Sequence, residues 1–366
     1  MKVLYISHNK EGTAWASTAN NHMLALHSAG VDVVSRTVKI NNNNGYVPEL
    51  VKSFECKSTN KVDAIIQQVL PHYYESTSVC KNIGMYLNDT DTLNFPAWGL
   101  KLSIMDEIWC PNQKTRDAIL KYNKKVMVVP HPCDVSVYNK RYPKMNFGVH
   151  NGNFIFYFIG ELNSRKNIKD LIRAFHTEFS NSEPVSLLLK VNKSGVDPNQ
   201  IMQLLTNEIN QVKTSLKLYP RIQDYHQEII ITGHITEDEI NSIHTSCDCY
   251  VNTSHGEAWS IPTFDAQAFG NKVVAPSHQY DYLNYRDSYE CISDDAFGYN
   301  DTFHHLGSSK EQWLVPNITD LRRCMRNAYQ SKDALNNTLT EYVKRTVEEH
   351  SIESIGKLMV EKLNEN

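Results

Sequence analysis

Short apolar runs and segments with helical spacing alternate along almost the whole chain. Lys2–Ser7 is an apolar run, followed by a turn over Asn9–Gly12 and a helical pattern from Thr13 to Ala29. Gly30 stops that helix, and Val31–Val38 reads as the next strand. The result is a βαβ unit with a glycine-bearing loop before its helix. Asp63–Val69, Asn82–Tyr86, Glu107–Cys110 and Val126–Val129 continue the strand series, with a helix from Gln113 to Tyr122. A polar, Pro-bearing segment, Arg141–Gly148, reads as a linker, and the pattern then restarts.

In the second half, Phe154–Ile159 is a strand, Asn167–Phe179 a helix, Val185–Val191 a strand and Asn199–Ser215 a helix. Glu228–Thr232, a helix over Glu237–Thr245, the strand CDCYV, a helix after Ser260 and the strand Lys272–Ala275 complete it. The tail from Asp320 is helical and charged. Strands alternating with helices of this length predict parallel sheets covered on both faces. Two series imply two doubly wound α/β domains. Ligands of such sheets bind at the carboxyl ends of the strands, so a cleft between two such domains is the expected place for chemistry.

Composition narrows the class. The chain has 366 residues, 41% apolar and 21% charged, enough for two globular domains. A net charge of −4 argues against the broad cationic surface of a general nucleic-acid binder. The eight cysteines are scattered without C-x-x-C spacing, so reduced and mostly buried thiols are expected. MKVLYIS reads as a strand and not as a signal peptide, and no run approaches the length of a transmembrane helix. A cytoplasmic protein is expected, with a peripheral membrane contact left open.

Three stretches carry candidate chemistry. Ser7–Thr13 follows the first strand, and Gly12 with Thr13 opens the first helix where backbone amides can approach a phosphate; an ordinary βα turn reads equally well. In Gly160–Asn167, Arg165 and Lys166 stand between a strand end and a helix start. Cations there oppose the helix dipole unless an anion lies between them. The third stretch is HGEAWSIPTFDAQAFGNKVV, residues 255–274. Ser260 and Pro262 mark a helix start, Ser as cap and Pro in the first turn. The amides of Ser260 and Ile261 would then form a second anion site. Glu257 precedes that helix and Asp265 lies on its first turns, both suited to accept from neutral hydroxyls; a turn cap and a surface charge remain the plain alternatives. Together the three describe a ligand with a diphosphate, a ribose and a further polyhydroxylated group, that is, a nucleotide sugar.

At these residues the chain resembles the family-4 retaining glycosyltransferases of the two-domain GT-B fold. GELNSRKNIKDLIRAF is similar to that family's strand, basic loop and helix. VVPHPCDVSVY resembles its interdomain entry segment. ITGHITEDEINSIHTSCDCYVNTSHGEAWSIPTFDAQAFGNKVVA is similar to its longest signature, and KNIGMYLNDTDTLNFPAWGLKLSIMDEIWCPN to a subgroup. The resemblance implies two Rossmann-like domains: an acceptor-binding domain over 1–145, a nucleotide-sugar domain over 150–335, and C-terminal helices over 336–366 that return to the first domain. It implies transfer of a sugar from a UDP- or GDP-sugar with retention, without metal or other cofactor. Arg165 and Lys166 would neutralise the leaving diphosphate, helped by amides near Gly12, Thr13, Ser260 and Ile261. Glu257 would contact the sugar and Asp265 the ribose. Lys190, His234 and Ile235 would border the base, and His72 and Asp89 the acceptor. Three positions depart from the pattern: Asp265 is shorter than the usual Glu, Glu161 stands where Arg is common, and Ser260 replaces a usual Gly.

Other readings stay open at this level. Asp89-Thr90-Asp91 is similar to the D-x-D of metal-dependent transferases, but lies far in sequence from the donor signature and is read as metal-free. A nucleotide-sugar epimerase and an inactive donor-binding module are the alternatives in function. The acceptor could be a glycan, a lipid, a protein, a small metabolite or a hydroxylated DNA base, and the sequence does not set the oligomeric state.

Overall fold

The computed structural model describes every residue except 41–44, 91, 151, 278–279, 284–286, 290, 298–311, 333–336 and 366. The chain forms two compact units, Met1–Asn139 with Lys344–Asn366, and Lys140–Val343.

The first unit holds, in chain order, β1 (Lys2–Ser7), α1 (Ala14–Ser28), β2 (Asp32–Thr37), α2 (Glu49–Phe54), β3 (Ala64–Gln68), β4 (Lys81–Met85), α3 (Pro96–Ser103), β5 (Glu107–Cys110), α4 (Gln113–Ile119), β6 (Val126–Val128) and α5 (Val135–Asn139). Its sheet is parallel throughout, in the order β2-β1-β3-β4-β5-β6. Val3 and Tyr5 of β1 alternate inward onto Ala19, Met23 and Leu26 of α1. Thr13 caps α1, its hydroxyl accepting from the Ala16 amide at 3.2 Å.

The second unit holds β7 (Phe154–Glu161), α6 (Ile168–Glu178), β8 (Val185–Asn192), α7 (Pro198–Leu216), β9 (Ile229–Thr232), α8 (Glu237–Ser246), β10 (Cys249–Val251), α9 (Ile261–Ala268), β11 (Lys272–Pro276), β12 (Asp287–Tyr289), β13 (Cys291–Phe297), β14 (Gln312–Pro316) and α10 (Ile318–Gln330). Its main sheet is also parallel, in the order β12-β11-β10-β7-β8-β9, and β13 pairs with β14 antiparallel. The all-apolar run of β7 has a direct cause. Phe154, Phe156 and Phe158 enter one core, and Ile155, Tyr157 and Ile159 the core on the opposite face. A strand buried on both sides loses the usual polar alternation. Helix α6 shows the other period: Ile168, Leu171, Ile172 and Phe175 make one buried stripe. Full burial of side chains this size contributes about 1.5–3 kcal/mol each.

Helix α11 (Asn337–Glu349) leads from the second unit back to the first, and α12 (Ile352–Asn364) lies in the first. Ile355, Met359 and Leu363 of α12 enter the same core as Val3 and Tyr5. Gly356 permits the contact with α1: a Cβ there would lie 2.1 Å from the Ala25 carbonyl oxygen.

Several expectations are corrected. Arg141–Gly148 is no free linker, because Met145, Phe147 and Val149 pack at alternate positions against the core of Ile155 and Tyr157. CDCYV contributes a strand only from Cys249; Cys247 ends α8. Helices α2, α3 and α5 and strands β12–β14 were not expected. The seven cysteines described are free thiols, five of them buried, with Cys56 exposed.

Candidate active site

A parallel sheet has one position where successive connections leave in opposite directions, and a crevice opens there at the carboxyl ends. In the second unit it lies between β7 and β10: the chain proceeds outward through β8 and β9, then returns to start β10 on the other side of β7. The loop after β7 carries Arg165 and Lys166, and the loop after β10 carries Glu257. The backbones are tied together. The His255 amide donates to the Arg165 carbonyl at 2.8 Å, and the Thr253 hydroxyl donates to the Asn167 carbonyl at 3.0 Å.

These ties bring three predicted residues into one cluster. Arg165 Nη1 lies 3.0 Å from Glu257 Oε2 and also donates to the Gly256 carbonyl at 2.8 Å. Lys166 Nζ donates to the other carboxylate oxygen of Glu257. All three side chains are largely buried, the carboxylate at 7% exposure and the cations at 17% and 13%. Burial alone would raise the Glu257 pKa; Arg165 and then Lys166 override it and hold the carboxyl well below its usual range. The anion that the sequence placed between the two cations is thus the protein's own carboxylate.

Helix α9 starts beside this cluster. Ser260 occupies the cap position with φ 63°, a left-handed conformation that costs a non-glycine residue on the order of 1–2 kcal/mol. This is the physical content of glycine being usual here. It also corrects the expectation for the cap: the Ser260 hydroxyl makes no bond to a helix amide and pairs instead with Thr263 Oγ1 at 2.7 Å. The strained turn is held by two residues. Asn252 Nδ2 donates to Ser260 Oγ at 3.1 Å and to Thr263 Oγ1 at 2.9 Å, and the Tyr282 hydroxyl reaches the carbonyls of Trp259 and Ser260. Pro262 fills the first turn. Asp265 follows on α9, half-buried. The buried Tyr250 hydroxyl, raised above its usual range first by burial, also feels the charges of both Glu257 and Asp265.

The remaining residues predicted in this unit form a separate tie. Lys190, at the end of β8, is buried, and its Nζ donates to the Gly233 carbonyl at 2.8 Å. Burial lowers its pKa. The bond fixes the turn that carries exposed His234 and half-buried Ile235. Glu161 accepts from Asn163 Nδ2 at 3.2 Å.

In the first unit, the switch lies between β1 and β3. Gly12 and Thr13 are exposed at the start of α1, and His72 is exposed on a short 3-10 turn, Pro71–Tyr73, beyond β3. Asp89 is half-buried beyond β4, in a turn where Asn88 Nδ2 donates to the Thr90 carbonyl at 2.6 Å. Asp91 lies outside the described residues. Sequence reasoning missed Asn252, Tyr250 and Tyr282. A polar Asn directly after the buried strand CYV was the available signal for the first.

Residues 144–280 match the family model described as "Glycosyl transferases group 1". No curated protein sequence matches the chain. Among solved structures, Anabaena HepE in complex with UDP is similar over 99% of both chains, with a TM-score of 0.66 at 13% identity. Sucrose-phosphate synthase from Thermosynechococcus elongatus is similar over 99% of this chain and 98% of its own, with a TM-score of 0.65 at 14% identity. An E. coli structure described as trehalose-6-phosphate bound with UDP-2-fluoro glucose is similar over 100% and 99%, with a TM-score of 0.67 at 10% identity. At such identities the likeness shows the fold, and it extends over both units. Residues 144–280 thus match a glycosyl transferases group 1 domain, within a chain that has the GT-B fold.

Proposed function

We propose that this chain, a glycosyltransferase by its group 1 domain and fold, moves a sugar from a nucleotide-diphosphate donor to an acceptor hydroxyl with retention and without a metal. The observation that carries this reading is the buried cluster of Arg165, Lys166 and Glu257 at the strand switch, next to the start of α9. The bond between the sugar's anomeric carbon and the diphosphate oxygen breaks, the acceptor oxygen takes its place on the same face, and the acceptor's hydroxyl proton passes to the departing diphosphate. Negative charge then grows on the diphosphate, where two fixed cations and the amides of Ser260 and Ile261 lower the barrier. Glu257 addresses the sugar hydroxyls once phosphate oxygens take over its cations. Asp265 holds the ribose, Lys190 fixes the turn of His234 and Ile235 beside the base, and the amides of Gly12 and Thr13 assist at the diphosphate. His72 and Asp89 serve the acceptor.

UDP is the favoured donor nucleotide, supported by the UDP-bound relatives of the same fold. A thermal-shift screen of UDP-glucose and GDP-mannose tests the reading. A donor at 100 times its Kd adds about 2.7 kcal/mol. No shift with any nucleotide sugar would refute it. Transfer that needed Mn²⁺ and died in EDTA would refute the metal-free part, and an epimerised sugar formed from donor alone would reassign the reaction.

A further inference from the structure

The carboxyl end of the first unit's sheet carries a group of rings that the donor chemistry does not use. His8 directly follows β1 and is buried, yet it is no free acid or base. Its Nδ1 bonds the Val38 carbonyl at 2.6 Å, and its Nε2 accepts from the Leu70 amide at 3.3 Å. Both nitrogens are committed, so the ring is a fixed neutral plate. Trp15, on the first turn of α1, meets it edge-on at 5.2 Å, and Tyr73 at 6.0 Å. His72 packs on Tyr73 at 4.2 Å. Tyr73 is 43% exposed, and His72 is exposed beside it. The indole N–H of Trp15 and the hydroxyl of Ser7 are buried with no hydrogen-bond partner among the described residues.

Charge is scarce at this mouth. Lys10 is paired with Glu55 at 2.8 Å, and Glu11 is buried, accepting from the Ile40 amide. A nucleic acid would need free cations for its phosphates. A neutral sugar ring needs an aromatic plate for its C–H face and stray donors or acceptors for its hydroxyls.

We propose that Trp15 and Tyr73, backed by His8, form a binding subsite for the ring of a neutral carbohydrate, and that the acceptor is a glycan. The acceptor part rests on the glycosyltransferase reading above; the carbohydrate site does not. The test is saturation-transfer NMR on the full chain with maltose, cellobiose and N,N′-diacetylchitobiose in turn, and with a single-stranded oligothymidylate. At least one saccharide shows saturation of its ring protons. Tyr73→Ala, at an exposed position, weakens that binding about tenfold, Trp15→Phe preserves it and Trp15→Ala removes it. UDP binding, measured separately, stays unchanged in all three variants. Saccharide binding without any nucleotide binding would leave the subsite standing and sink the transferase reading. UDP binding with no saccharide signal would overturn the subsite, as would saccharide binding insensitive to Tyr73→Ala, or oligothymidylate binding lost in Tyr73→Ala.

Discussion

Glu257→Gln separates two roles of one carboxylate. The substitution keeps the side chain's shape and removes its charge, leaving Arg165 and Lys166 opposite a neutral amide. Removing one partner of a buried pair costs about 3–5 kcal/mol. Here both cations keep some exposure, 17% and 13%, and the amide oxygen still accepts from one of them, so a loss of about 2–3 kcal/mol is expected. For a unit of this size each kcal/mol lowers Tm by about 2–4 °C, giving a fall of about 4–12 °C. Nucleotide binding should move the other way. A carboxylate competes with phosphate for the same two cations, and its removal should tighten UDP by roughly tenfold, worth about 1.4 kcal/mol. Calorimetric titration with UDP, differential scanning and a transfer assay read the three quantities. The variant should be less stable, bind UDP more tightly and transfer sugar poorly. An unchanged Tm, or UDP binding weakened tenfold, would refute the account of the cluster.

Three further outcomes follow from the geometry. Gly356→Ala drives a methyl group to 2.1 Å from a backbone carbonyl of α1, so the first unit should lose at least about 1–3 kcal/mol in urea unfolding. Ser260→Gly should hold stability within about 1 kcal/mol, because relief at φ 63° offsets the lost hydroxyl bonds, whereas Ser260→Val should lower Tm and UDP binding together. Acid should weaken the first unit: His22 is held neutral, its pKa lowered to about 4 by burial, and burial also lowers the neighbouring His131. The unfolded chain takes up these protons below about pH 6.5 and the folded chain does not. His22 should therefore cost about 1.4 kcal/mol per pH unit from 6.5 down toward 4, and His131 acts in the same direction, measurable as urea midpoints at pH 7 and pH 5; equal midpoints would contradict the burial of these rings.

The order of strands and helices was legible because burial on both faces writes continuous apolar runs such as FIFYFI, and one-sided burial writes the 3.6 period of α6. The basic pair and both acids were legible from their places beside strand ends and helix starts. Two kinds of feature were not. Contacts set by long-range packing leave no local pattern: the union of Arg165 and Lys166 with Glu257 depends on two loops 91 positions apart, and the clamp of Tyr282 on Ser260 on a segment beyond β11. Backbone conformation is the other kind. Serine is a common cap, so nothing in WSIPT announces a left-handed residue whose hydroxyl turns away from the helix. The segment 145–149 was misread for a simpler reason, since its three apolar residues at alternate positions were outweighed by polar neighbours and a glycine.

The return of α12 to the first unit bears on the order of events during synthesis. Val3 and Tyr5 are made well before Ile355, Met359 and Leu363, which supply part of the surface they share. The second unit, from Lys140 to Val343, is contiguous in sequence and is made between the two parts of the first unit. The first unit must then wait with an apolar face of α1 uncovered while the whole second unit is made, at about 5–20 residues per second. A chain truncated before Ser351 would carry that uncovered face permanently, so aggregation of such fragments would begin in the first unit.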